Sequence, residues 1–195
     1  MAAPVVIILA AGRGARFLAS GAQRHKLDTP LGERTVLEHV IHAVERAGLS
    51  WHLVRPAGGT GGMGDSISLG VNATSTASGW LILPADLPLI APESLLHVAE
   101  GLGEKPLVVP WHQQCQGHPV AFSRCYFPAL RALTGDSGAK SIVQQARARS
   151  EVLDLPLEDV GIIEDIDTLV DLRRVEVLST QENNRVPHVS DKEEL

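Results

Sequence analysis

Short apolar runs at 5–9, 51–54, 80–83, 107–109, 120–122 and 152–155 punctuate the chain, and their lengths predict strands. The first, Val5, Val6, Ile7, Ile8 and Leu9, has no polar alternation and reads as a strand buried on both faces, as in a parallel sheet. Between the runs the spacing turns helical. Val36, Leu37, Val40, Ile41 and Val44 follow a Thr35/Glu38 capping-box pattern and stop at Gly48. Ile67, Leu69, Gly70 and Val71 follow Asp65 or Ser66 as a cap, and Pro92 opens a helix over 93–101. Further helices are predicted near 126–133, from Asp136 or Ser137 to about 148, and over 169–178 behind Asp167 or Thr168. Residues 18–34 read as a polar, irregular segment. Strands alternating with helices predict the α/β class, with a mostly parallel sheet in a three-layer α/β/α sandwich. One domain over 1–178 is expected, and the polar, aperiodic residues 179–195 read as a disordered tail.

Composition narrows the function classes. A net charge of −6 leaves no basic surplus to displace phosphate counterions, which argues against nucleic-acid binding. No apolar run approaches the ~18 residues of a membrane span, and no leader pattern precedes one. Cys115 and Cys125 lack zinc-like spacing and read as reduced thiols of a cytoplasmic protein.

Chemistry concentrates in loops that follow strands, where α/β sheets bind ligands. After Leu9 come Ala10, Ala11, Gly12, Arg13, Gly14, Ala15 and Arg16, small residues carrying two guanidinium groups, with Lys26 further on. Small residues let backbone N–H groups approach an anion, and the cations match a triphosphate. The loop is not a P-loop, and Phe17 stands where a dinucleotide fingerprint wants a third Gly or Ala, so NADP binding ranks low. Asp86, held between Pro84 and Pro88 past the 80–83 strand, is a natural Mg²⁺ ligand. Asp165 or Asp167 offers a second, although an Asp before a helix is also a common cap. Residues 57–64 (AGGTGGMG) are expensive to order, which suggests close approach to a ligand. His118, between Gly117 and Pro119, is a candidate substrate contact.

LAAGRGARF with Lys26, GGMGDSISLGV, LILPADLPLI, and GHPVAF followed by GDSGAKSIV and DIDTLVDL occur in this order over about residues 4–175. Together they resemble the nucleotidyltransferases of molybdenum cofactor maturation, above all the cytidylyltransferase branch. The resemblance implies a Rossmann-like nucleotidyltransferase fold and Mg²⁺-dependent transfer of a nucleoside monophosphate from CTP or GTP to molybdopterin, with release of pyrophosphate. A molybdoenzyme apoprotein is a further partner in view. Leu9, Ala10, Ala11, Gly12 and Gly14 would contact the nucleotide, Arg16 and Lys26 its phosphates, and Gly61, Gly64, Asp65 and Ser66 the base and ribose. Asp86 and Asp167 would hold the metal and His118 the acceptor, while Arg16, Lys26 and Asp86 would be catalytic. Ala11 is the cytidylyl-type residue and favours CTP. Phe17 to His25 separate Arg16 from Lys26 by more than the family usually allows, so Arg24 competes for the lysine's role. The nearer alternative is a sugar-phosphate or other small-molecule nucleotidyltransferase on the same fold, and the more distant one is a non-catalytic protein that binds nucleotide and delivers a cofactor.

Overall fold

The computed structural model describes residues 3–185. Its centre is a seven-stranded sheet in the order β4-β1-β5-β8-β6-β7, with β9 also pairing β6. The strands are β1 (Val5–Leu9), β4 (Ser50–Val54), β5 (Gly79–Pro84), β6 (Leu107–His112), β7 (Cys115–Gln116), β8 (Val120–Ser123) and β9 (Val152–Pro156). β1, β4, β5, β6 and β9 run one way, and β7 and β8 run against them. A separate ribbon pairs β2 (Pro30–Leu31) with β3 (Arg34–Thr35). The predicted strands are all present, while β7 and this ribbon, two residues per strand, are too short to leave a pattern.

Alternate strand residues feed two cores, which makes the architecture three-layered. Val6, Ile8, Leu81, Leu83 and Val108 pack on α2 (Val36–Arg46), α4 (Pro92–Gly101) and α7 (Leu169–Arg185). Ile7, Trp80, Ile82, Leu107 and Val109 pack on α3 (Met63–Ala73), α5 (Phe127–Arg131) and α6 (Lys140–Ala148). Gly70 of α3 is required by this packing, because a Cβ there would run into the side chain of Ile7. Among the described residues, no helix is long and apolar enough to cross a membrane.

The helix ends correct several expectations. The Thr35–Glu38 capping box forms as predicted. α3 begins at Met63 behind Gly62, so neither Asp65 nor Ser66 caps it. α6 starts at Lys140 with no side-chain cap from Asp136 or Ser137. A short helix, α1 (Ala15–Ala19), occupies part of the segment read as irregular, anchored by the buried Phe17. α7 runs on to Arg185, so residues 179–185 are helical rather than part of a disordered tail. Residues 186–195 of that expected tail lie outside the described residues.

Register brings the loops together. Leu9 pairs with both Val54 and Pro84, so β1, β4 and β5 end level and their following loops converge. Val120 pairs with Ile82 in the opposite direction, which sets His118 beside the same strand ends.

Candidate active site

A cleft of about 910 Å³ opens where these loops meet. One wall is the turn after β1, contributing Leu9, Ala10, Ala11, Gly12 and Arg13, with Arg16 from α1. His25 supports this turn: its Nδ1 accepts from the Leu27 N–H, so its Nε2–H donates to the Gly12 carbonyl at 2.8 Å. A support thirteen residues away has no periodicity to betray it, and sequence reasoning missed it. Gly59, with φ +77°, lies against the Ala11 carbonyl, where a Cβ would come within 3.1 Å. The glycine-rich loop is thereby folded over the first turn, and it adds Thr60, Gly61, Gly62 and Met63 to the cleft beside Ser66.

The floor is charged. Lys26 Nζ donates to Asp86 Oδ2 at 2.7 Å and to Asp167 Oδ1 at 3.2 Å, while Arg16 Nη1 meets Asp167 Oδ2 at 2.8 Å. The Lys26, Asp86 and Asp167 side chains are only 13%, 18% and 27% exposed, whereas Arg16 is 80% exposed. Burial alone would lower the pKa of Lys26, but the adjoining Asp86 and Asp167 outweigh it and the net shift is upward, so the amine stays charged. Asp165 completes a trio with Asp86 and Asp167 whose ligand oxygens lie within 4.8 Å of one another. Asp165 reaches the surface, yet desolvation of its carboxyl group, and then the charges of Asp86 and Asp167, raise its pKa above the ordinary value. Oxygen-only donors in this density suit a hard divalent cation.

Backbone bonds hold the trio in place. The Ile166 N–H donates to the Asp86 carbonyl at 3.1 Å, and the His118 N–H to the Ile162 carbonyl at 2.9 Å. Thr168 caps α7, its N–H donating to Asp171 Oδ2 while its Oγ1 accepts from the Asp171 N–H. That leaves the Asp167 carboxylate free of cap duty and turned to the cations.

His118 lines the cleft, and its Nδ1 is buried without a hydrogen-bond partner among the described residues. Burial depresses its pKa, opposed by the charge of Asp86, so the ring is neutral near pH 7. Gln116 and Asp136 line the same side. From the sequence Asp136 is a candidate helix cap, and it also falls in the 135–140 loop, which with the 110–118 loop is expected to supply acceptor contacts.

Three expected contacts are not cleft residues. Gly14, with φ +62°, caps α1 and packs on the His25 ring. The Gly64 N–H donates to the Gly135 carbonyl at 2.7 Å, and a Cβ there would approach the Thr134 carbonyl to 2.7 Å. Asp65 Oδ2 accepts from the Gly135 N–H at 3.2 Å. Gly64 and Asp65 dock α3 onto the turn that carries Asp136, and so shape the cleft without lining it. Arg24 is exposed and does not line the cleft, whereas Lys26 does.

Comparison with known proteins gives a consistent picture. The family described as "MobA-like NTP transferase domain" matches residues 6–151. The purine catabolism protein PucB of Bacillus subtilis is 27% identical over 188 residues, covering 78% of this chain and 90% of that protein. Among solved structures, a nucleotidyl transferase from Methanothermobacter superposes with a TM-score of 0.77 at 19% identity, covering 93% of this chain and 99% of that one. The Mycobacterium tuberculosis protein Rv0371c, solved in complex with manganese, gives 0.66 at 22% identity, covering 91% and 100%. At these identities the structural likenesses establish the fold.

Proposed function

The chain belongs to the MobA-like NTP transferase domain family and is a nucleotidyltransferase, and from that premise we propose that it transfers CMP from CTP to the phosphate of molybdopterin with Mg²⁺ and releases pyrophosphate. The observation that carries this reading is the charged floor, with Lys26 and Arg16 clasping Asp86 and Asp167 below the small-residue turn. Cations beside a glycine-bordered cleft suit a triphosphate, and carboxylates beside them suit its metal. Ala11 on the cleft wall supports CTP over GTP, as the cytidylyl-type residue of the LAAG motif. His118 and Gln116 line the side left for the acceptor, and the buried, unpartnered Nδ1 of His118 is a hydrogen-bonding atom in want of a ligand. The free, exposed Cys115 and Cys125 fit a reducing, cytoplasmic setting.

In this mechanism the acceptor phosphate is itself the nucleophile. Its oxygen forms the new bond to the α-phosphorus of CTP while the bond from the α-phosphorus to the bridging oxygen breaks, and pyrophosphate leaves with the electron pair. An anionic phosphate needs no general base, so the chain's work is positioning and charge neutralisation. Arg16 and Lys26 hold the phosphates and balance charge on the transferring and leaving groups. The turn at Ala10, Ala11 and Gly12 lets the nucleotide close on the backbone. Asp86 and Asp167, with Asp165 adjoining, would hold Mg²⁺, which when bound neutralises the triphosphate and polarises its phosphoryl oxygens. The neutral ring of His118 and the Gln116 amide orient the acceptor.

Pyrophosphate release from CTP, GTP, ATP and UTP, each with Mg²⁺ and molybdenum cofactor, tests the reading. Release with CTP alone is expected. Release with GTP instead overturns the nucleotide assignment, and release with none overturns the acceptor.

A further inference from the structure

The ammonium of Lys26 sits on two of the three carboxylates that would hold a metal. It bridges Asp86 Oδ2 and Asp167 Oδ1, from two of the three residues of the trio, and Arg16 takes Asp167 Oδ2. A divalent cation binds carboxylate oxygens at about 2.0–2.6 Å and carries twice the charge, so it and the ammonium compete for the same carboxylates and repel each other across them. Three carboxylates facing two fixed cations leave only about one net negative charge to attract a metal. Lys26 also has little solvent to retreat into, with its side chain 13% exposed. Phosphate oxygens in the cleft are the natural alternative partner for both cations.

Resting on the nucleotidyltransferase reading of this site, we propose that Lys26 is a resident counterion that competes with the divalent metal in nucleotide-free protein, and that nucleotide phosphate lifts Lys26 and Arg16 off the carboxylates and thereby opens the metal position. Metal and nucleotide then bind with mutual reinforcement beyond their own coordination to each other. The signature is inverted: removing an active-site cation tightens free-metal binding while weakening nucleotide binding.

The test is a Mn²⁺ titration of the nucleotide-free protein, with free Mn²⁺ followed by electron paramagnetic resonance, on the wild type, Lys26→Met, Arg16→Met and Asp86→Asn. Lys26→Met is expected to bind Mn²⁺ about tenfold tighter or more, because one competing unit charge at contact distance is gone. Arg16→Met, altering a surface side chain that leaves the fold intact, is expected to tighten binding by a smaller factor. A non-hydrolysable CTP analogue should raise Mn²⁺ affinity more in the wild type than in Lys26→Met. If neither cation variant tightens Mn²⁺ binding while Asp86→Asn weakens it, the metal site stands and the competition is refuted. If Asp86→Asn leaves Mn²⁺ binding unchanged, the metal assignment itself fails.

Discussion

Replacing Lys26 with Met keeps most of the side chain's bulk and removes its charge, which isolates the electrostatic contribution. At an effective dielectric of about 20, contacts of 2.7 and 3.2 Å correspond to gross attractions of roughly 6 and 5 kcal/mol. Desolvation of the ammonium cancels much of that, so the gross figures are not the stability cost. Breaking a fully buried pair costs about 3–5 kcal/mol because the partner charge is stranded. Asp86 and Asp167 keep some solvent and Arg16 stays on Asp167, so the expected cost is about 2 kcal/mol, below that range. For a chain of this size that corresponds to a melting temperature about 4–8 °C lower. Turnover should fall further, by about 10²–10³, as for loss of one preorganised charge at a reacting phosphoryl group. Thermal denaturation in chelator and initial-rate kinetics on the same preparation measure both. Unchanged turnover in a folded Lys26→Met protein would refute the placement of Lys26 on the phosphates, and an unchanged melting temperature would refute its role as counterion.

Other perturbations have equally definite signs. Asp165 has a raised pKa in the folded protein, so the apo-protein loses stability as pH rises through the ordinary value of 3.8 toward the folded one. Asp165→Asn should therefore raise the neutral-pH melting temperature in chelator, with the gain vanishing below about pH 4, while weakening Mn²⁺ binding. His118 has a depressed pKa, so its contribution is complete above the unfolded value near 6.5 and is lost as pH falls toward the folded one. His118→Gln should flatten that acid limb of stability in denaturation curves, and should raise KM for the acceptor more than for the nucleotide. Gly64→Ala forces a Cβ against the Thr134 and Gly135 carbonyls, which are backbone and cannot swing away. It should cost about 1–3 kcal/mol by chemical denaturation and raise KM through displacement of the Asp136 turn.

The strands were legible because burial on both faces leaves unbroken apolar runs, as at Val5 to Leu9. Strand direction was not: the same kind of run serves β5 and the opposed β8, and only tertiary pairing distinguishes them. α1 escaped notice because one buried residue, Phe17, anchors it. The extension of α7 escaped because its last turns are polar, and polar positions also describe a tail. In the site, Arg16, Lys26, Asp86 and Asp167 were marked by loop position and charge and His118 by its Gly117 and Pro119 flanks, and the fold brings them to one cleft. Glycines were harder to assign. Gly12 and Gly61 line the cleft, while Gly14 and Gly64 serve a left-handed turn and a helix–loop contact. A glycine signals close approach without saying to what. Asp65 and Asp136 were exchanged in role for a related reason, since whether a carboxylate near a helix start caps, docks or faces a ligand depends on chain far away in sequence.

The most direct test of the central claim is transfer of label from α-³²P-CTP to molybdenum cofactor by the wild type and Asp86→Asn under Mg²⁺. Label should appear on the cofactor with one pyrophosphate released per transfer, and the rate with Asp86→Asn should be lower by about 10²–10³. Pyrophosphate release without labelled cofactor, or equal transfer by Asp86→Asn, would contradict the account.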